Sequence, residues 1–404
     1  MNNTSYIHVG WLVDGTGRPV QKKVLLKIVD GRFASIEPFS QALGVDPSAV
    51  IDLSHCTLVP PLVDSHVHLF MSAASDSRIR KNQLVAGYEE LRSVIAQHLH
   101  YLFTHGVLTV RDGGDRGGFA LKYRSEQGSH PEMVIKTAGR AWHSEGRYGG
   151  LIGRYPGTRG IVKAYEEDSE QSDCLKLVMS GLNSLKQYGK ETAPQFTAEE
   201  VANLVKAAAR KGQKVMVHAN GQVPVRIAVD AGCHSIEHGF FMGRENLQRM
   251  ADKGTSWVPT VYTMKAYAEN LNPAQEGADL QVIEKNVHHQ LKQLQTAREL
   301  GVEVVLGTDA GSLGVLHGES MVEEMKLFRK AGFSIAEIIR CASLNGSKLL
   351  GLEGDGTLTV GSRATFLVSR GAPSQLPRKL SYLEDIYTDG SPSEFYRKNP
   401  FKYT

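Results

Sequence analysis

Cysteine is scarce in this chain. There are four in 404 residues, Cys56, Cys174, Cys233 and Cys341, widely separated and with no CxxC pair. That pattern excludes a disulfide framework and fits reduced, small core residues in a cytoplasmic protein. A surplus of charge is missing too. Lys and Arg number 46 against 43 Asp and Glu, a formal net charge of +3, which gives no electrostatic case for nucleic acid or a membrane surface as partner. No apolar run is long enough to span a bilayer. The opening MNNTSYIHVGWLVDG has no charged segment followed by an apolar core, so it does not read as a secretory signal. Fixed-period repeats and low-complexity segments are also absent. What remains is ordinary globular composition, 41% hydrophobic and 22% charged, in a chain long enough for one large core plus a smaller unit. The expected partner is a small-molecule substrate, with the oligomeric state open, a homo-oligomer included.

The pattern along the chain changes twice. The first stretch, YIHVGWLVDGTGRPVQKKVLLKIVDGRFASIEPF, is β-like, with Asp-Gly turn signals at Asp14-Gly15 and Asp30-Gly31. From about Leu62, apolar strands alternate with amphipathic helices. The strand candidates are LVDSHVHLF, VLTVRDGG, MVIKTAG, CLKLVMSG, QKVMVHANG, HSIEHG, TSWVPT and VEVVLGTDAG. Among the helices, LRSVIAQHLHYLFTHG stops at a glycine, and Thr197 with Glu200 offers a capping box for TAEEVANLVKAAARKG. Such alternation predicts an α/β fold, a closed (β/α)8 TIM barrel over 61–354. The tail, with GTLTVGSRATFLVS and LEDIYTDG, returns to short strands. Residues 1–60 plus 355–404 are therefore expected to form one small composite β-sandwich. The stretch 139–160, GRAWHSEGRYGGLIGRYPGTRG, reads as a long loop after the third strand, and loops that long in a compact barrel are more often functional than idle.

Chemistry concentrates at the strand ends. His66 and His68 lie two apart, which on a strand puts both imidazoles on one face. His218 ends VMVHANG, His238 ends HSIEHG, and Asp309 ends VVLGTDAG. Any one of them alone reads as a satisfied core histidine or a helix-capping aspartate. Together they all fall at the carboxyl ends of barrel strands, where barrel enzymes build their sites. Lys176 sits inside the apolar run CLKLVMSG. Either it snorkels, or it has reacted with CO2 to form a carbamate, an anionic oxygen ligand able to bridge two cations. In this setting the carbamate is the preferred reading. Arg147, Tyr148, Arg154 and Arg159 in the 139–160 loop could hold a substrate carboxylate or belong to a solvated loop, and Asn220 is a candidate for the pocket wall. His98, His100 and His105 read as belonging to the first barrel helix, away from the site, and His288 and His289 as surface residues.

HxH on strand one, Lys on strand four, His on strands five and six, and Asp on strand eight resemble the binuclear-metal branch of the amidohydrolase superfamily. ETAPQFTAEEV, VMVHANG, SIEHGFFM and GTDAG are similar in order and spacing to its imidazolonepropionase-like and Xaa-Pro dipeptidase-like members. The resemblance spans nearly the whole chain. It implies two divalent metal ions, Zn2+ by default although manganese, cobalt or iron suit similar ligands. His66, His68 and Asp309 would take one ion and His218 and His238 the other, with N6-carboxylated Lys176 and a hydroxide bridging them. Asp309 would act as general acid and base in hydrolysis of an amide-type C–N bond, in a dipeptide, N-acyl amino acid or related amide or carbamate. His143, after strand three, would steady the oxyanion. Substrate contacts are expected from His143, Arg147, Tyr148 and Asn220.

Three departures from the family pattern stand out. Pro60-Pro61 replaces the usual Pro-Gly before HxH, and Thr365 replaces the acidic residue of the late GxxADF motif. Ser180-Gly181-Leu182 follows strand four where relatives often carry Thr or Gly then Gly, which alters the pocket wall. Two other readings compete. A mononuclear deaminase of the same superfamily needs no lysine ligand, and an inactive scaffold would not need every ligand position filled.

Overall fold

The computed structural model describes residues 4–41, 45–127, 132–271, 277–352 and 354–398. The fold is α/β, a TIM barrel accompanied by a small β unit from both chain ends, whose strands form one curled seven-stranded sheet in place of two separate layers. Contacts group the chain into two compact units. One comprises Met1–Val63, His100–Thr109 and Phe333–Thr404, the other Asp64–Leu99 and Val110–Gly332. The first unit thus also takes in the helices Ile335–Ala342 and Leu344–Leu349. Positions 1–3, 42–44 and 399–404 of the expected composite lie outside the described residues.

In the first unit seven strands share one hydrogen-bonded sheet. Thr4–Leu12 pairs antiparallel with Gln21–Val29 and parallel with Val50–Val59, which in turn pairs antiparallel with Phe366–Arg370. The Asp30-Gly31 signal becomes a tight hairpin with both residues at positive φ, 49° and 74°, the twist that suits two-residue hairpins. Alternation buries one face, with Ile7 and Val9, then Val24, Leu26 and Ile28, then Phe366 and Val368, in a single core. The sheet closes on itself there. Arg32 pairs with Arg363, the Phe33 N–H donates to Ser362 O at 3.1 Å, and the Phe33 ring sits 6.1 Å from Phe366.

The barrel strands follow the predicted order. Leu62–Val67, Val107–Asp112 and Val134–Thr137 form one sheet. Cys174–Val178, Lys214–Ala219, Ser235–His238 and Ser256–Val258 form a second, parallel throughout. The 139–160 stretch is more ordered than a plain loop. Ala141–Trp142 pairs with the fourth strand and with Gly153–Arg154, extending the second sheet. Between the sheets, the Asp173 N–H donates to Thr137 O at 2.9 Å.

The eighth segment closes the other seam without becoming a regular strand. It makes only isolated parallel bridges, at Val304 and Ala310. The N–H groups of Ser65 and His68 donate to Leu306 O (3.1 Å) and Ala310 O (2.7 Å), and the Val305 N–H donates to Trp257 O (2.8 Å). Two features explain the irregularity. At Gly307 a Cβ would come within 2.5 Å of Val258 and 2.9 Å of the His66 nitrogen, so only glycine allows this approach. Thr308 then turns its N–H and hydroxyl to the Asp64 carboxylate, at 3.0 and 2.6 Å, instead of to a strand neighbour.

The helices keep their sequence signals. Thr197 and Glu200 form the expected capping box, and Ala198–Arg210 buries Val201, Leu204, Ala207 and Ala208. Among the described residues no helix is long and apolar enough to cross a membrane.

Candidate metal centre

Six side chains converge at the carboxyl ends of the barrel strands. The Nε2 atoms of His66 and His68 lie 3.6 and 3.4 Å from Asp309 Oδ1, and one ligand atom from each of these residues fits within 4.8 Å of the others. Lys176 Nζ is 3.4 Å from His66 Nε2. The His238 ring centroid lies 5.0 Å from that of His66 and 4.6 Å from that of His218. Together they line one side of a cavity of about 230 Å³.

The hydrogen bonds fix which nitrogen each ring presents. His66 Nδ1–H donates to Glu237 Oε2 at 2.8 Å and His68 Nδ1–H to Gly114 O at 2.8 Å. His238 Nδ1 pairs with Thr260 Oγ1 at 2.7 Å. All three are left with Nε2 toward the centre. His218 is reversed, with Nε2–H donating to Gly181 O at 3.3 Å and Nδ1 left over. Orienting partners of this kind are what metal-bound imidazoles use. Burial, then the Lys176 charge, holds His68 down at about 4 and His218 at about 3. Burial depresses His66 and His238 well below the ordinary range. All four are therefore neutral at pH 7, the state that binds cations. Burial pushes the Asp309 carboxyl up to about 7.

Backbone strain marks the same strand ends. His238 and Asp309 have φ of 67° and 59°, and Thr260, which holds His238, has 45°. Non-glycine residues at positive φ cost of order 1–2 kcal/mol each and gather at functional sites.

Reading the sequence missed the group beneath the ligands. Glu237 is fully buried, and its Oε1 accepts from Arg111 Nη2 (2.9 Å) and Ser235 Oγ (2.5 Å). Arg111 also donates from Nε to Ser65 O at 2.7 Å. A signal for it existed, since Arg111 interrupts the apolar strand VLTVRD just as Lys176 interrupts CLKLV. His98 is not remote. It is buried, stacks on His317 at 3.9 Å, and donates from Nδ1 to Leu69 O at 2.8 Å. His288 is exposed, while His289 is half-buried against Phe241 at 4.5 Å.

The expected substrate contacts divide. Tyr148 and Asn220 line the cavity. Asn220 is held by its own bonds, Oδ1 accepting from the Phe240 N–H at 3.0 Å and Nδ2 donating to Gly181 O at 3.3 Å. His143 and Arg147 are not in the lining. His143 is buried against Gly149 with Nδ1 donating to Ser144 O at 2.9 Å, and Arg147 donates to Ala193 O at 2.8 Å.

A parallel barrel that gathers four neutral imidazoles, a lysine and an aspartate at its strand ends is the framework of a metal-dependent hydrolase. The chain belongs to the amidohydrolase family, whose model matches residues 57–394. It is 25% identical over 348 residues to an uncharacterized protein of Mycobacterium tuberculosis, covering 85% of each chain. It is 27% identical over 177 residues to ochratoxinase of Aspergillus niger, 44% of this chain and 36% of that one. Among solved structures it is similar to a Xaa-Pro dipeptidase with methionine bound in its active site, with 27% identity, a TM-score of 0.78, and coverage of 97% of this chain and 100% of the other.

Proposed function

We propose that the protein is a binuclear-metal amidohydrolase, dipeptidase-like, that cleaves an amide-type C–N bond in a small substrate. The cytoplasm is the setting that suits its four buried cysteines, none of them in a disulfide. The observation that carries the reading is Lys176. It is 1% exposed, faces His66, and has no carboxylate within ion-pairing distance among the described residues. An ammonium there is costly. Burial lowers its pKa to about 8, which makes the free amine accessible. The neutral amine adds CO2, forming an N–C bond and releasing a proton, and becomes a carboxylate ligand.

His66, His68 and Asp309, whose ligand atoms lie within 4.8 Å of one another, would hold one cation, and His218 and His238, with ring centroids 4.6 Å apart, would hold a second, with carboxylated Lys176 as the further ligand. Divalent ions there, Zn2+ by default, supply Lewis acidity and lower the pKa of water toward neutrality. Asp309 moves the proton. Its Oδ2 is held by Ser312 Oγ at 3.0 Å, and the carboxylate takes the proton from the attacking water and delivers it to the leaving amine. Tyr148 faces the same cavity. Burial, then the Asp309 charge, raises its pKa, so the phenol stays a neutral donor suited to an oxyanion. His143 keeps that role only as a second candidate, since it lies outside the lining.

Similarity to a Xaa-Pro dipeptidase supports the reaction class. The runner-up, a mononuclear deaminase, leaves Lys176 without a role. Metal analysis separates the two, with about two ions per chain expected here and one with unmodified Lys176 for the deaminase. A screen of dipeptides, N-acyl amino acids, carbamates and ureas should yield turnover that Asp309→Asn abolishes in a folded protein. Full activity in that variant would refute the proton role.

A further inference from the structure

One cation in the cavity lining has no carboxylate partner among the described residues. Arg80 comes from the helix Ser77–Val85, which has no buried residue, yet Arg80 and Leu84, one turn apart, both line the cavity. The guanidinium is fixed by one nitrogen. Its Nη1 donates to Ser72 O at 2.6 Å and to Gly311 O at 2.9 Å, the latter two residues past Asp309. Nε and Nη2 have no protein acceptor among the described residues, and no carboxylate lies within ion-pairing range. Apart from the metal-type cluster, Arg80 is the only charged side chain in the described lining.

The arginines of the 139–160 stretch are engaged elsewhere. Arg154 is paired with Asp168 and lies 4.4 Å over the Trp142 ring, Arg159 donates to Glu167 at 3.0 Å, and Arg140 donates to Glu170 at 2.7 Å. None of them lines the cavity.

The free Nε/Nη2 edge is the planar fork that takes a carboxylate bidentately. The walls beside it are apolar. Phe70 and Leu84 belong to one hydrophobic cluster, and Phe240, Met264 and Leu185 to another. At about 230 Å³ the cavity is smaller than the roughly 300–1,000 Å³ of drug-sized pockets. Arg80 and Asp309 line the same cavity, and Arg80 is bonded to Gly311 two residues past Asp309, so the fork and the reacting end share one space. We propose that Arg80 anchors the terminal carboxylate of the substrate, which makes the substrate class small N-acyl amino acids or dipeptides with a free C-terminus and an apolar side chain. This rests on the hydrolase reading for the reaction, but the anchoring itself is testable without turnover.

The test is calorimetric binding of a small non-hydrolysable pair, N-(methanesulfonyl)leucine and its C-terminal carboxamide, to the zinc-loaded protein. The carboxylate should bind about tenfold or more tightly than the carboxamide, as expected for a charged hydrogen-bonded pair. Arg80→Met should erase that preference while leaving carboxamide affinity within about twofold, and Arg80→Lys should keep part of it. A loss that merely reflected the Ser72 and Gly311 carbonyls would weaken both probes alike and would overturn the proposal, as would equal binding by the wild type. If Arg80→Met does not fold, the wild-type preference and the Arg80→Lys variant decide. A carboxylate preference in a protein that hydrolyses nothing in the screen would uphold the anchor and sink the hydrolase reading.

Discussion

Lys176 is costly to the fold, and the proposed function gives that cost a purpose at the site. In the metal-free protein its pKa falls from 10.5 to about 8, chiefly through burial. The unfolded chain therefore binds a proton between about 8 and 10.5 that the folded chain has released, and stability rises with pH across that window. Below pH 8 the fold carries the full cost. Lys176→Met should accordingly stabilise the metal-free protein at pH 7, by on the order of 3 kcal/mol, flatten the dependence between pH 8 and 10, and abolish turnover. Denaturant melts at pH 7 and pH 10 check this. Parallel pH dependence in variant and wild type would show that another group titrates.

The strand ends depart from simple alternation, and they do so where chemistry is needed. Period two puts Glu237 and His238 on opposite faces of Ser235–His238. The left-handed turn at His238 brings its ring to the centre while Glu237 stays beneath it, holding His66. Glu237 is also the counter-ion of buried Arg111, whose side chain is 3% exposed. Glu237→Gln should cost about 3 kcal/mol by leaving that guanidinium unpaired and weaken metal binding about 10- to 100-fold through His66. Adding Arg111→Met should recover part of the stability but not the metal affinity. Urea denaturation and metal competition titrations would show it, and a stability loss under about 1 kcal/mol would contradict the ion-pair argument. The eighth segment is the other departure. Its sequence VEVVLGTDAG is strand-like, but Gly307 and the Asp64–Thr308 bonds replace the ladder.

At the scale of the whole molecule, the ligand positions run from His66 to Asp309 and meet only when the barrel closes. Cations held there, as proposed, would bind the folded chain and not the unfolded one. Chelation should therefore lower the melting temperature, and readdition of Zn2+ with bicarbonate should restore it. The linkage is about 4 kcal/mol when free metal stands a thousandfold above its dissociation constant. Calorimetry with and without chelator tests it, and an unchanged melt after metal removal would place the ions outside the fold's core.

The amino-acid sequence by itself determined the alternation of strands and helices, the capping box at Thr197, and the order of His66, His68, Lys176, His218, His238 and Asp309. Periodicity, turn chemistry and residue type are local and leave a direct mark on the chain. Only the tertiary structure decided which imidazole nitrogen faces inward, that Arg111 and Glu237 underlie His66, and that Arg80 keeps a free edge in the cavity while the arginines of 139–160 are paired elsewhere. Those facts depend on which distant groups come within hydrogen-bonding reach once the barrel closes, and spacing along a chain does not encode that distance.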